Sequence, residues 1–282
     1  MADTAVTDRY CRINGLNIRY WKTGTSPRNL VLIHGLGGSI EAWHENVAPL
    51  GRAFTVYAVE LPGHGKSDKP AVRYTLEFFA DFIHRCFDAF SITSGHLAGL
   101  SFGGAAAIRF TLANPAMVDK LVLVSSAGLG PGMGPLFALG GMAPLRPLLR
   151  FVPRWAFGRY ARSTVYDARK LPAGIVDFYY SLLTTRDFRR VMRSMLRENF
   201  TFFGHGGAAI RAVAAALHRL EKETLIVWGT NDAIIPVANA YRGNKKITHS
   251  RLVLFDHCAH NPQFEKADEF NTAVTEFLTG RR

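Results

Sequence analysis

Three short stretches of this sequence hold residue types that do chemistry together: Gly99-Leu100-Ser101-Phe102-Gly103, then Gly229-Thr230-Asn231-Asp232, then His260-Asn261-Pro262. A serine hydroxyl is a weak nucleophile at neutral pH. It needs an imidazole to take its proton and a carboxylate to hold that imidazole in the right tautomer. The chain order serine, acid, histidine is the one used where the serine sits on a sharp strand-to-helix turn. Small residues at 99 and 103 suit such a turn, because side chains there would collide with neighbouring backbone. Ten histidines are available, but only His249, His257 and His260 lie beyond Asp232. His249 precedes the last apolar run at its wrong end, and His257 follows Phe255-Asp256 at once. His260 lies further into the loop, just before a proline at which a helix can begin. Ser101 is therefore the expected nucleophile, Asp232 the orienting acid, and His260 the base, with His257 as the fallback.

Attack by Ser101 on a carbonyl produces an oxyanion, which needs donors fixed in advance. One is the N–H of Phe102, at the start of the following helix where the dipole also favours negative charge. The loop His34-Gly35-Leu36-Gly37-Gly38 offers another, and the glycines around Leu36 make its N–H the nominee. Gly35 and Phe102 are expected to touch substrate. Other motifs fail on inspection. Gly65-Lys66-Ser67 looks like the end of a phosphate loop, but Glu60 stands where the first glycine belongs. Gly35 to Ile40 begins like a dinucleotide fingerprint, with Ile40 in place of its last glycine. No H-E-x-x-H run or cysteine pair joins His257 and His260 to complete a metal site. Catalysis without cofactor or metal is the expectation.

These residues need a scaffold, and the apolar pattern supplies one. Residues 9–22 alternate around Asn14-Gly15, as in an antiparallel hairpin. Short apolar runs at 30–33, 54–59, 96–100 and 121–124 are bounded by turn residues, as expected of strands covered on both faces. Helical spacing appears at 76–90 and 102–113. After Ser125 the rhythm breaks. Residues 128–145 carry no charge but six glycines and three prolines, too interrupted for a transmembrane helix. Helical pattern then runs to about residue 220, and strands at 224–228 and 251–255 resume the earlier rhythm before a final helix from about Pro262. The reading is a core of 1–127 and 221–282, with a helical cap inserted at 128–220.

The formal charge of +12 is unevenly spread: residues 129–220 hold 14 Arg and Lys against 4 Asp and Glu. Arg186, Arg189, Arg190, Arg193 and Arg197 share one face of a helix whose other face carries Phe188, Val191, Met192 and Met195. A solvated face is the plain reading, and weak contact with an anionic membrane or anionic substrate the sharper one. Cap aromatics, among them Phe178, Tyr179, Tyr180, Phe200, Phe202 and Phe203, are read mainly as cap core around an apolar pocket. Three distant cysteines suggest reduced, structural thiols. The first residues offer neither a basic nor an apolar leader, so a cytoplasmic protein with no nucleic-acid partner is expected.

Together with Leu61-Pro62-Gly63-His64-Gly65-Lys66-Ser67-Asp68 and Glu265, these stretches resemble the α/β-hydrolase superfamily, in the branch with a helical cap after the sixth strand. The resemblance spans nearly the whole chain. It implies a mostly parallel eight-stranded sheet with helices on both faces. Serine at 101 separates the chain from the haloalkane dehalogenases and epoxide hydrolases of that branch, which use aspartate there. Ala259 replaces the glycine the family often has before its histidine. The expected activity is that of a serine carboxylesterase on short or medium acyl or aromatic esters, with a small ester or other carbonyl compound as partner. The alternatives are a meta-cleavage-product C–C hydrolase, an acyltransferase and a ligand-sensing receptor. Against C–C hydrolysis, the family's usual Gly-Pro-Gly run is absent from Leu36-Gly37-Gly38-Ser39, and Asn261 stands where a tryptophan usually follows the histidine.

Overall fold

Strands that are apolar along their whole length must be covered on both faces, and this sheet is built that way. The computed structural model describes residues 6–135, 138, 142, 144, 152–171, 173–203 and 205–281. Its strands are β1 (Arg9–Ile13), β2 (Leu16–Thr23), β3 (Asn29–Ile33), β4 (Thr55–Val59), β5 (Gly95–Leu100), β6 (Val118–Val124), β7 (Thr224–Gly229) and β8 (Ser250–Phe255). They form one sheet in the order β1-β2-β4-β3-β5-β6-β7-β8. The pairs β1–β2 and β2–β4 are antiparallel, and the rest of the sheet is parallel. Asn14 and Gly15 both take positive φ in the first hairpin, as their types allow.

The α-helices of the described residues are α1 (His44–Leu50), α2 (Leu76–Ala89), α3 (Phe102–Ala113), α4 (Arg154–Ser163), α5 (Ile175–Thr184), α6 (Arg186–Asn199), α7 (Ala208–Ala216), α8 (Ala238–Lys246), α9 (Pro262–Glu265) and α10 (Ala267–Thr279). Helices α4 to α7 lie between β6 and β7 in the chain. Much of the charge-free stretch expected at 128–145 falls outside the described residues. The final helix starts at Pro262 as read from sequence but breaks at Lys266, giving α9 and α10. No helix among the described residues is long and apolar enough to cross a membrane.

Strand residues alternate between two cores. Val31, Ile33, Val59, Leu97, Leu123 and Trp228 pack toward α2 and α3, while Leu30, Leu32, Val56, Leu100, Val122 and Val227 pack toward α1 and α10. The order reverses direction at β3: β4 lies on one side and β5 on the other. The loops leaving β3 and β5 therefore open a crevice at the carboxyl edge of the sheet, where this architecture places ligands.

Backbone segments approach one another closely beside Ser101. A Cβ on Gly99 would stand 2.5 Å from the Gly103 carbonyl oxygen, and one on Gly103 would stand 2.3 Å from the His34 carbonyl oxygen. In both cases the obstacle is backbone, so it cannot swing away. Gly99→Ala is expected to lower unfolding free energy by about 3 kcal/mol or more, from overpacking alone. Gly158→Ala, whose Cβ would find nothing nearer than 3.6 Å in the interior of α4, is expected to be neutral or to add up to about 1 kcal/mol of helix propensity. Urea unfolding of the two variants beside the wild type checks both.

Candidate active site

Ser101 ends β5 at φ 55° and ψ −119°, a conformation that side-chain-bearing residues rarely take. Its backbone is held from three directions. The Ser101 N–H donates to the Val124 carbonyl at 2.9 Å, and the Ser101 carbonyl accepts N–H groups from Gly104 at 3.0 Å and Ala127 at 3.0 Å. The turn lifts the hydroxyl out of the sheet at the N-terminus of α3. Gly35 faces it closely: a Cβ there would stand 3.0 Å from the Ser101 Cβ.

Asp232 and His260 come together as the sequence order suggested. His260 Nδ1 meets Asp232 Oδ2 at 2.8 Å, with the carboxylate fully buried and the imidazole about one-tenth exposed. The other oxygen, Oδ1, accepts the N–H groups of Ile234 at 2.8 Å and Ile235 at 2.9 Å. With these donors around the carboxylate, Nδ1 is the donor to it, and in the neutral imidazole tautomer this selects, the lone pair lies on Nε2. His257 has no part in this pair. It sits at φ 51°, exposed, with its ring against Tyr166 at 5.2 Å. Close packing also explains Gly229, whose Cβ would stand 2.2 Å from the Ala259 carbonyl oxygen.

The N–H groups of Leu36 and Phe102 have no hydrogen-bond acceptor among the described residues, which leaves both for a ligand. The Phe102 ring is buried and packed edge-on against Phe79 at 5.4 Å, while the substrate contact expected of this residue rests on its amide beside the nucleophile. Its bulk is needed in the core beneath α2, so only its backbone N–H is presented. The loop carrying Leu36 is fixed by His34, which sequence reading passed over. His34 Nε2 accepts the Leu61 N–H at 3.0 Å, so Nδ1 is the donor to the Gly35 carbonyl at 2.8 Å. Burial pushes the His34 imidazole down to about 4 and that of its neighbour His64 well below its usual range.

Glu60 fills the turn that resembles a phosphate loop. Its Oε2 accepts the N–H groups of Lys66 at 2.7 Å and Ser67 at 2.8 Å, and Arg19 reaches its Oε1 at 3.1 Å. The amides that would cradle a phosphate are thus occupied by the protein's own carboxylate.

The residues between β6 and β7 touch the loops around Ser101 and His260 through contacts no local pattern reveals. Met192 of α6 lies 3.6 Å from where a Gly37 Cβ would be. The Tyr179 hydroxyl of α5 meets Ser39 Oγ at 3.0 Å. The Thr164 carbonyl accepts the His260 N–H and the Asn261 side-chain amide, both at 3.1 Å. Glu265 spans the same seam: Oε1 accepts the Ala259 N–H at 2.9 Å and Oε2 the Tyr166 N–H at 2.5 Å. Burial pushes its carboxyl above the usual range, and those amides oppose the shift.

Known proteins share this arrangement of sheet and loops. A family model described as "Alpha/beta hydrolase family" matches residues 30–273. The chain belongs to the α/β hydrolase family. It is 31% identical to the 2-hydroxy-6-oxononadienedioate/2-hydroxy-6-oxononatrienedioate hydrolase 1 of Pseudomonas putida, over 97% of each chain. It is 30% identical to the dihydrolipoyllysine-residue acetyltransferase component of the acetoin cleaving system of Cupriavidus necator, covering 99% of this chain and 71% of that protein. The solved meta-cleavage product hydrolase from Pseudomonas fluorescens superposes with a TM-score of 0.82 over 98% of this chain and 99% of that one. At 24% identity that likeness is one of fold.

Two measurements probe this α/β hydrolase. Glu265→Gln puts an amide NH2 against one of two N–H donors, so kcat for a soluble ester is expected to fall roughly 10- to 100-fold through misplacement of the His260 loop. KM should stay nearly constant, and Glu265→Asp should restore part of the loss. The buried histidines set the acid response. Their folded pKa values lie below the unfolded 6.5, so the unfolded chain binds the extra protons as pH falls. Stability is full above pH 6.5 and is lost as pH falls toward about 4, with His34 alone contributing on the order of 3 kcal/mol. Urea midpoints measured from pH 7.5 to 4.5 should decline across that window.

Proposed function

We propose that this α/β hydrolase is a serine carboxylesterase for esters with an apolar acyl group, acting through Ser101, His260 and Asp232. The observation that carries the reading is the Asp232–His260 pair, because its hydrogen bond through Nδ1 leaves Nε2 available as a base on a loop at the same carboxyl edge of the sheet as Ser101. The Ser101 hydroxyl proton passes to Nε2 as its oxygen attacks the ester carbonyl. The tetrahedral oxyanion is received by the N–H groups of Leu36 and Phe102. Collapse expels the alkoxide, which takes the proton from Nε2 and leaves an acyl group on Ser101. Water then gives a proton to Nε2 as it attacks the acyl carbon, and collapse breaks the bond to Ser101, whose oxygen takes that proton back as the acid is released.

The character of the roof supports an apolar acyl group. Phe188, Val191, Met195 and Leu196 of α6 are buried, and Met192 meets the oxyanion loop. Of the guanidinium groups of that helix, Arg186, Arg193 and Arg197 are exposed, Arg190 donates to the carbonyls of Lys69 and Pro70, and Arg189 is half-buried. A dianionic substrate would call for a cation at the pocket.

C–C hydrolysis of a meta-cleavage product is the second reading, and the curated relatives favour it: seven at 27–31% identity are dienedioate/trienedioate hydrolases. The same serine and base would serve it, and acyl transfer would differ only in the acceptor. Steady-state turnover of nitrophenyl butyrate and of a 2-hydroxy-6-oxo-dienoate, measured side by side, separates the readings. The expected result is kcat/KM at least about 100-fold higher for the ester. The reverse ratio would assign C–C cleavage, and one equivalent or less of product from both would point to a ligand-sensing role. Ser101→Ala and His260→Ala should each cost at least about 10⁴-fold in kcat, and Asp232→Asn about 10³- to 10⁴-fold. His257→Ala should leave kcat nearly unchanged.

A further inference from the structure

The charge excess of residues 129–220 is not dispersed among ion pairs. All four carboxylates of that stretch are engaged: Asp167 with Arg169, Asp177 with Arg154, Asp187 with Arg190, and Glu198 with Arg73 and Arg197. The guanidinium groups of Arg159, Arg162, Arg186, Arg189 and Arg193 have no ion-pair or hydrogen-bond partner among the described residues. They belong to α4 and α6, which both pack against α5.

Apolar surface accompanies these charges. In α5, Ile175, Val176, Phe178, Tyr179, Tyr180, Leu182 and Leu183 make up most of the helix, yet none of its residues is fully buried. Tyr179 turns inward to Ser39, so only part of this surface serves the site. On the outer side of α4, Trp155 is 69% exposed. It lines a cleft of about 460 Å³ together with Gly158, Arg159, Arg162, Val176 and the Arg154–Asp177 pair. Trp155, Gly158, Arg159 and Arg162 share one helical face by their spacing.

We propose that the outer surface of α4, α5 and α6 is a docking surface for an anionic phospholipid bilayer. Headgroup phosphates meet Arg159 and Arg162 in the cleft, and the Trp155 indole sits at the interfacial level, apolar body down and N–H toward water. Arg186, Arg189 and Arg193 add long-range attraction, which salt screens. The chain lies on such a surface without crossing it, with the cap turned toward the lipid.

Co-sedimentation of the intact protein with vesicles tests this. Neutral phosphatidylcholine vesicles are compared with vesicles containing about one-third phosphatidylglycerol, in about 0.1 M salt. Partitioning onto the anionic vesicles should be at least about tenfold stronger, and about 0.5 M salt should reverse it. The Arg159→Gln/Arg162→Gln double variant should lose most of it, as should Trp155→Ala, while Arg52→Gln, an exposed change outside the cap, should bind as wild type does. Melting temperatures close to wild type verify that the exposed substitutions leave the fold intact. Equal partitioning onto both vesicle types, or wild-type binding by the double variant, overturns the proposal. So does release by millimolar glycerol phosphate, which would mark the cleft as a site for free anions.

Discussion

A serine forced to φ 55° at the end of a parallel strand is the constraint on which the rest of the site depends. Such a backbone conformation costs on the order of 1–3 kcal/mol and persists only where surroundings over-determine it. Here they do so with backbone hydrogen bonds to both the N–H and the carbonyl of Ser101 and with glycines that let α3, the β3 loop and β5 approach within backbone contact. Relaxing the turn would lower the hydroxyl toward the sheet and withdraw the Phe102 N–H from the crevice. The two cores on either side of the sheet can be viewed as the clamp that holds this one residue in place.

The base is held by a different principle. Nothing strains His260; its orientation comes from satisfying every acceptor around it. Asp232 receives two backbone amides besides the imidazole, and the loop before His260 is tied by Glu265. Buried carboxylates that accept backbone N–H groups recur throughout the catalytic edge: Glu60 shapes the 61–68 turn in the same way. This edge of the sheet is organised by acceptors buried beneath loops, which have donors to spare.

Much of this was legible in the sequence because it is local. The strand, turn and helix around Ser101 are encoded within about fifteen residues by apolar runs and clearance glycines, and the observed α3 begins and ends where the alanine-rich run does. His260 could be preferred to His257 from its place in the loop. What stayed hidden was long-range: the Tyr166–Glu265 bond joins residues 99 positions apart, and no periodicity marks either partner. Side-chain direction was not legible either: the motif marks the Phe102 amide, while only the fold shows that its ring is buried in the core. Of the cap aromatics read as core, Phe200 is buried but Phe202 and Phe203 lie exposed, a difference set by where α6 ends rather than by residue type.

The seam at Thr164 has a consequence for how such proteins diversify. Because the Thr164 carbonyl accepts the backbone N–H of His260 itself, the segment inserted between β6 and β7 is not an interchangeable hat on an independent engine. Substituting a foreign insertion between β6 and β7 would strip two hydrogen bonds and the Glu265 anchor from the loop that aims the imidazole. Change by modular exchange is therefore costly in this lineage, whereas drift of single side chains along α5 and α6 leaves the seam untouched. New substrates are reached most readily by repainting the ceiling while its supports stay where they are.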